Sequence, residues 1–566
     1  MSSPNSAWWR DSVVYQIYPR SFADANNDGT GDIPGMSWKL EYLKGLGVNA
    51  VWVSPWYPSP MADGGYDVAD YCDIDPSFGT LEDADRFLEA AHARGIRVLI
   101  DLVPNHCSEQ HPAFQAALAA GPGSPERAMF HFREGSGPDG ALPPNNWGSL
   151  FGGSAWERVV GPHGPEQWYL HMFAPEQPDW NWANPEVSTL FEAVIRFWFD
   201  RGVDGLRIDV ADGLVKQAGY PDTPIDPATG LGIASFYPGH PWWNQPELDA
   251  IQRHWRQIAD EYSVDGEGER IFVCEANTKP LSSLMRFVDP GRMHTTFNFD
   301  MLWCEWEAGS LRAMIDRNLV AHAAVGAPTT WVLGNHDSTR VVTRYGKPET
   351  GKPFTLSGPS PAWLHRFAEY FAPLPTDVDL GRRRARAAAL LEFALPGPAY
   401  IYQGDELGLP EVEDLPDAVR QDPSFFRTDG RIPGRDGCRV PLPWSGTSAP
   451  YGFGVDAEPW LPQPREWAAL SAEAQDADPE STLNLYRRAL AIRAEHPDLG
   501  DGTLTWDDSS PAGVLCFTRG QFCCLVNLAS EPVELPPDLV VLLASAPLEA
   551  GRLPADTAVW LGADLD

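Results

Sequence analysis

The chain has 566 residues, with 42 Lys and Arg against 78 Asp and Glu, a formal net charge of −36. That balance excludes a surface built to displace counterions from nucleic acid, and it excludes binding to an anionic membrane. Apolar residues make up 43%, ample for large cores, and no run nears the roughly 18 apolar residues of a spanning helix.

In chain order, short apolar runs alternate with longer helical patterns. The opening MSSPNSAWWRDSVVYQIYPRSF lacks a basic segment followed by an apolar core, so no secretory signal is expected. Residues 13–18 (VVYQIY) predict a first strand, 36–46 a helix, and 49–53 a second strand. A helix over 81–94 leads to a third strand over 96–102 (IRVLIDL). Residues 105–179, rich in Gly, Pro, Trp and Asn, then interrupt the rhythm. A connection of that length is uncommon unless it has a function. A helix over 185–200, a fourth strand over 205–210 (GLRIDV), a helix over 247–262 and a fifth strand over 271–274 (IFVC) follow. Further strands are predicted over 296–298, 330–333 and 399–402.

Runs that are apolar throughout are those of strands buried on both faces. Eight of them with helices between predict an α/β chain forming a (β/α)₈ TIM barrel. The barrel takes residues 1–104 and 180–495, with an inserted, loop-rich domain over 105–179 after strand three. A second loop extension covers 409–465, after strand eight. Over 500–566, segments such as VLCFTR, FCCLVNL and LVVLLAS predict a C-terminal antiparallel β domain. The eight cysteines include no metal-spaced CxxC pair, so reduced thiols in a cytoplasm are expected rather than a disulfide scaffold.

Polar residues just past the C-terminal strand ends line the active site of such a barrel. Strand three ends in Asp101 and runs on to Asn105-His106. Strand four carries Arg207 and Asp209, then Asp212. Strand five ends in Glu275, and strand seven in Asn335-His336-Asp337. Three acids at active-face positions, with two histidines and an arginine, exceed what structure alone asks for. Arg207 and Asp209 are two apart on one strand and point to one side. The arginine is expected to keep Asp209 ionised with a lowered pKa, while nearby carboxylates raise that of Glu275. This is the division of labour between nucleophile and acid in a retaining glycosidase.

DLVPNH (101–106), GLRIDV (205–210), CEAN (274–277) and NHD (335–337) resemble the four ordered signature regions of the α-amylase family, glycoside hydrolase family thirteen. QPDWNWANP (177–185), VWVSPWYPSP (51–60), YQGDELG (402–408) and GRDGCRVPLPW (434–444) support the resemblance, which runs from about Trp8 to beyond residue 490. It is strongest to the α-glucosidase and oligo-1,6-glucosidase branch. The resemblance implies Asp209 as nucleophile, Glu275 as general acid/base and Asp337 as the third acid. It implies sugar binding by Arg207, His106 and His336, and capture of the non-reducing end by Asp63 and Tyr66 in MADGGYD. By the same resemblance Arg435 would close that subsite, Arg439 would fall near the next, and Phe151, Phe173 and Gln177 would line the pocket.

The segment from Asp24 to Asp32 alternates acidic and amide oxygens with glycines, and reads equally as a hard-cation loop or an ordinary turn. The resemblance implies the former. Structural calcium or magnesium would be ligated by the side chains of Asp24, Asn26, Asp28 and Asp32 and the carbonyl of Thr30.

The implied enzyme is an exo-acting retaining α-glucosidase. It would release α-glucose from maltose-like disaccharides and short oligosaccharides, with or without transglucosylation. In this branch Val after the nucleophile, here Val210, is associated with α-1,6 bonds. The reading leans to α-1,4, with α-1,6 and sucrose open. A glucosyl transferase or isomerase, of the sucrose isomerase or trehalose synthase type, carries the same residues and is the alternative. A non-catalytic family member is the remaining reading. It would lack these acids and carry a membrane helix.

Overall fold

A computed structural model describes residues 7–161, 164–227, 229–234, 237–263, 268–351, 371–536 and 539–562. The outermost ends assigned above to the barrel and the C-terminal domain, 1–6 and 563–566, lie outside the described residues. Eight parallel strands form one sheet: β1 (Val13–Ile17), β2 (Ala50–Val53), β3 (Arg97–Leu102), β4 (Gly205–Ile208), β5 (Ile271–Cys274), β6 (Thr295–Thr296), β7 (Trp331–Val332) and β8 (Ala399–Tyr402). Their spatial order is β7-β8-β1-β2-β3-β4-β5-β6. At the seam between β6 and β7 the Thr330 hydroxyl donates to the Thr296 carbonyl. The sheet curls into the (β/α)₈ barrel that the alternation predicts.

The period of two places side chains alternately inside the barrel and against the helices. Val14, Trp52, Leu99, Val273, Val332 and Tyr400 pack together in one inner cluster. Tyr15, Ile17, Val51, Val53, Val98 and Ile100 join the outer core with the helices. On β1, β3 and β5 one further inward step brings polar groups to the mouth: Gln16 beyond Val14, Asp101 beyond Leu99, Glu275 beyond Val273. The parity that builds the core therefore also sets the site.

The predicted helix over 36–46 is two, Ile33–Trp38 and Leu40–Leu46, meeting at Lys39. Strands six and seven are shorter than expected, two residues each. The excursion after β3 is more ordered than its composition suggests. It holds a helix over Pro112–Ala120 and a three-stranded antiparallel sheet with Gly164–Leu170 between Phe132–Arg133 and Trp156–Gly161. Beyond the last long helix, Thr482–Glu495, a five-stranded antiparallel sheet forms from strands between Thr505 and Gly562. Among the described residues no helix is long and apolar enough to cross a membrane.

Candidate active site

At the C-terminal mouth a pocket is lined by Asp63, Tyr66, His106, Phe151, Phe173, Asp209, Val210, Glu275, Asp337 and Arg435. Its floor is organised by Arg207. One guanidinium nitrogen donates to Asp101 at 2.7 Å and to Asp209 at 2.6 Å. The other lies 2.8 Å from Glu275 Oε2. That same oxygen accepts the Val210 backbone N–H at 3.1 Å. Val210 has φ +48°, a left-handed conformation that is a genuine outlier for a β-branched residue.

The floor differs from the expectation that Arg207 lowers the pKa of Asp209. Burial and the neighbouring Glu275 push the Asp209 carboxyl well above the usual range, and Arg207 does not reverse them. The physical reason is division of one charge. Arg207 also serves Asp101, which takes further hydrogen bonds from Trp52 at 2.9 Å and Tyr66 at 3.1 Å. Burial still pushes Asp101 up to about 6.

The far wall is charged differently. Arg435 donates to Asp63 at 2.6 Å, to Asp337 at 3.1 Å, and through Nε to Asp422. Arg439 donates to Asp337 at 2.8 Å and to the His336 carbonyl at 2.9 Å. Burial raises Asp337, but the His336 ring and both arginines outweigh it and hold the carboxyl far below the usual range. Arg435 does the same for the buried Asp422. Asp63 is raised by burial despite Arg435.

Two neutral histidines complete the pocket. His336 stacks on Tyr66, with ring centroids 5.1 Å apart and planes 4° apart, and its Nδ1 meets Gln16 Nε2 at 2.7 Å. Burial keeps it well below the usual histidine range. His106 lies against Phe173, centroids 5.0 Å apart, and beside Gln177, which also donates to Asp63 at 3.0 Å. Arg435 sits 5.1 Å over the Phe151 ring. All thirteen residues proposed for catalysis and sugar binding thus gather in or directly behind one pocket.

The loop from Asp24 to Asp32 lies apart from this chemistry. Its all-oxygen donor set is of the kind hard cations take. The carboxylates are nevertheless engaged by backbone amides. Asp24 accepts from Asn27, Asp28 and Gly29, Asp28 from Thr30, and Asp32 from Ala25, Asn26 and Gly35. Asp32 also caps the helix Ile33–Trp38. Among the described residues no three His, Cys, Asp or Glu side chains gather as a metal cluster.

Several contributors were not assigned from the sequence. Gln16 follows from strand parity, being two beyond the inward Val14. Asp422 sits in the extension after β8, and no local pattern marks it as the partner of Arg435. Trp242 and Trp243, adjacent aromatics that read equally as an acceptor surface or as loop packing, are buried among Trp147, Phe151 and Phe173.

The family profile described as "Alpha amylase, catalytic domain" matches residues 16–354 and 368–502. A probable alpha-glucosidase of Rhizobium meliloti (strain 1021) is 36% identical over 94% of this chain and 92% of its own. An oligo-1,6-glucosidase of Heyndrickxia coagulans is 34% identical over 88% and 86%. Among solved structures, an alpha-glucosyl transfer enzyme superposes with a TM-score of 0.81 at 34% identity, covering 98% of this chain and 99% of that one. A barrel with acids at the mouths of β4, β5 and β7 defines a glycoside hydrolase. The chain belongs to the α-amylase family.

Proposed function

We propose that the protein is an exo-acting, retaining α-glucosidase that releases α-glucose from maltose-like disaccharides and short oligosaccharides. The observation that carries this is the grip of one guanidinium on two carboxyls at the floor of a pocket walled by ion pairs. Carboxyls on adjacent nitrogens of Arg207 suit the roughly 5–5.5 Å spacing of retaining enzymes. The Asp63–Arg435–Asp337 wall blocks one end, which favours a chain terminus over an internal bond.

The steps follow from these positions. Asp337, Arg435, Asp63, His106 and His336 hold the hydroxyls of a terminal glucose. With a proton on Glu275, the Asp209 carboxylate attacks the anomeric carbon. The glycosidic C–O bond breaks, and its oxygen leaves with the proton from Glu275. Glu275, now a base, takes a proton from water, which attacks the glycosyl-Asp209 ester. Two inversions give α-glucose. Arg207 steadies whichever carboxyl is ionised at each stage.

Proton NMR time courses on maltose, isomaltose, sucrose and trehalose test the reading. Early α-glucose, foremost from maltose, is expected, and early β-glucose would refute the mechanism. New glycosidic signals with little free glucose would favour the second reading, glucosyl transfer or isomerisation, which the likeness to an alpha-glucosyl transfer enzyme supports.

Two lesser proposals accompany it. All eight cysteines are free thiols, which suits a reducing cytoplasm. The Asp24–Asp32 loop would hold calcium or magnesium through Asp24, Asn26, Asp28, Asp32 and the Thr30 carbonyl, steadying the fold without entering the chemistry. Chelation is then expected to lower Tm by a few degrees, roughly 1 kcal/mol in a large domain, with kcat little changed below that Tm. An unchanged Tm removes the metal.

A further inference from the structure

Behind His106 lies a set of buried polar groups that the reaction does not use. Asp179, at the end of the insert, and Lys216, in the loop after β4, pair at 2.9 Å with both side chains fully buried. Lys216 Nζ also donates to the Asn105 side-chain oxygen at 2.8 Å and to the Gly213 carbonyl at 2.6 Å. Asp179 in turn is hydrogen-bonded by the Asn105 side chain and by the Met172 N–H at 3.0 Å. Desolvation offsets most of what a buried ion pair gains, so stability is a weak reason for this one.

Its geometric consequence is sharper. The Asn105 amide has an ammonium at its oxygen and a carboxylate at its nitrogen. Turned over, it would set its NH₂ against the ammonium and its oxygen against the carboxylate. Only one orientation is tolerable, and it directs the NH₂ at His106 Nδ1, 3.1 Å away. Across the ring, Gln177 Nε2 lies 3.1 Å from His106 Nε2. Gln177 is also fixed, accepting from the Ala174 N–H at 3.1 Å and donating to Asp63 at 3.0 Å. Both ring nitrogens thus face amide donors, and the Tyr66 carbonyl is an acceptor close to the ring. An imidazolium donates from both nitrogens and needs two acceptors, whereas the neutral ring donates from one. The charged groups around the ring are Lys216 and Asp179 behind it, Asp63 beyond Gln177, and Asp209 across the pocket.

We propose that the Asp179–Lys216 pair is a positioning device: it locks the Asn105 amide and so holds His106 as a neutral imidazole aimed at the sugar. The sugar part rests on the glucosidase reading above. Burial and then the Lys216 charge act in the same direction, taking the ring down to about 3.

The test is nitrogen NMR of the ¹⁵N-histidine-labelled full chain, with His106→Gln identifying the signal. The His106 signal is expected to show one lone-pair nitrogen and to stay fixed between about pH 8 and 5, where free histidine titrates. In Asp179→Asn/Lys216→Gln, which removes both charges, the same signal titrates in that window. KM for maltose rises about tenfold in that variant while kcat changes less. Asn105→Asp, which sets an acceptor beside Nδ1, gives the same titration and serves if the double variant does not fold. A His106 that titrates in the unaltered protein, or one that stays fixed in every folded variant, overturns the proposal. A neutral, fixed His106 in a protein that cleaves no glucoside upholds the lock and refutes the glucose-site reading instead.

Discussion

The two sides of the pocket hold three carboxyls each around different numbers of cations. On the floor, Asp101, Asp209 and Glu275 share Arg207 alone. On the wall, Asp63, Asp337 and Asp422 share Arg435, and Arg439 adds a second cation at Asp337. Burial acts on both groups in the same direction. With one cation it wins, and Asp209 and Asp101 are raised. With two, Asp337 and Asp422 are held far below the usual range, although burial still raises Asp63 against the same two arginines. The difference suits the two tasks. Cleaving a glycosidic bond needs a proton in reserve, and gripping hydroxyls needs fixed charge.

The comparison is broken most severely by removing the nucleophile. Asp209→Asn cannot form the glycosyl ester, so kcat is expected to fall by about 10⁴-fold or more, with the folded structure retained by circular dichroism. Unchanged turnover would refute the assignment.

Unbalancing the wall is the next largest perturbation. Arg435→Met leaves Asp63, Asp337 and Asp422 with Arg439 as their remaining arginine. A fall of about 10²–10³ in kcat/KM is expected, with KM rising and a new ionisation entering the pH profile as Asp337 moves up towards the usual carboxylate range. A loss of kcat alone, with no shift in the profile, would separate Arg435 from the charge balance.

A smaller effect concerns stability. Asp212 accepts the Asn277 N–H at 3.1 Å beneath the floor, and burial pushes it up to about 7. A carboxyl raised in the folded state binds its proton more tightly there than in the unfolded chain. Its contribution is therefore fully present near pH 4 and is lost as pH rises through about 7. Asp212→Asn, neutral throughout, is expected to gain in Tm relative to the unaltered protein between pH 5 and 8, by a few degrees at about 1–2 kcal/mol. A constant difference across that range would show that Asp212 is ionised in both states.

The sequence shows the barrel because its strands are largely apolar on both faces, and β1 to β5 and β8 read as runs broken by single polar residues near their ends. The seam strands β6 and β7 are two residues each and carry too little pattern for their bounds to be read. The sheet of the insert is hidden for another reason. Trp156–Gly161 and Gly164–Leu170 mix charged, aromatic and glycine residues, and their order comes from pairing with each other. The acids of the site were legible through strand parity and motif order. The direction in which Asp209 shifts was not, because the effect of Arg207 on it is set against Asp101, which arrives from another strand.

The most direct measurement of this division of charge is a carboxyl ¹³C NMR titration of the Asp-labelled chain, with Asp209→Asn and Asp337→Asn identifying the two signals. The Asp209 signal is expected to titrate well above the ordinary value of about 4. The Asp337 signal is expected to remain that of a carboxylate until the protein unfolds in acid. An Asp209 already ionised below that ordinary value, or an Asp337 that titrates above it, would contradict the account.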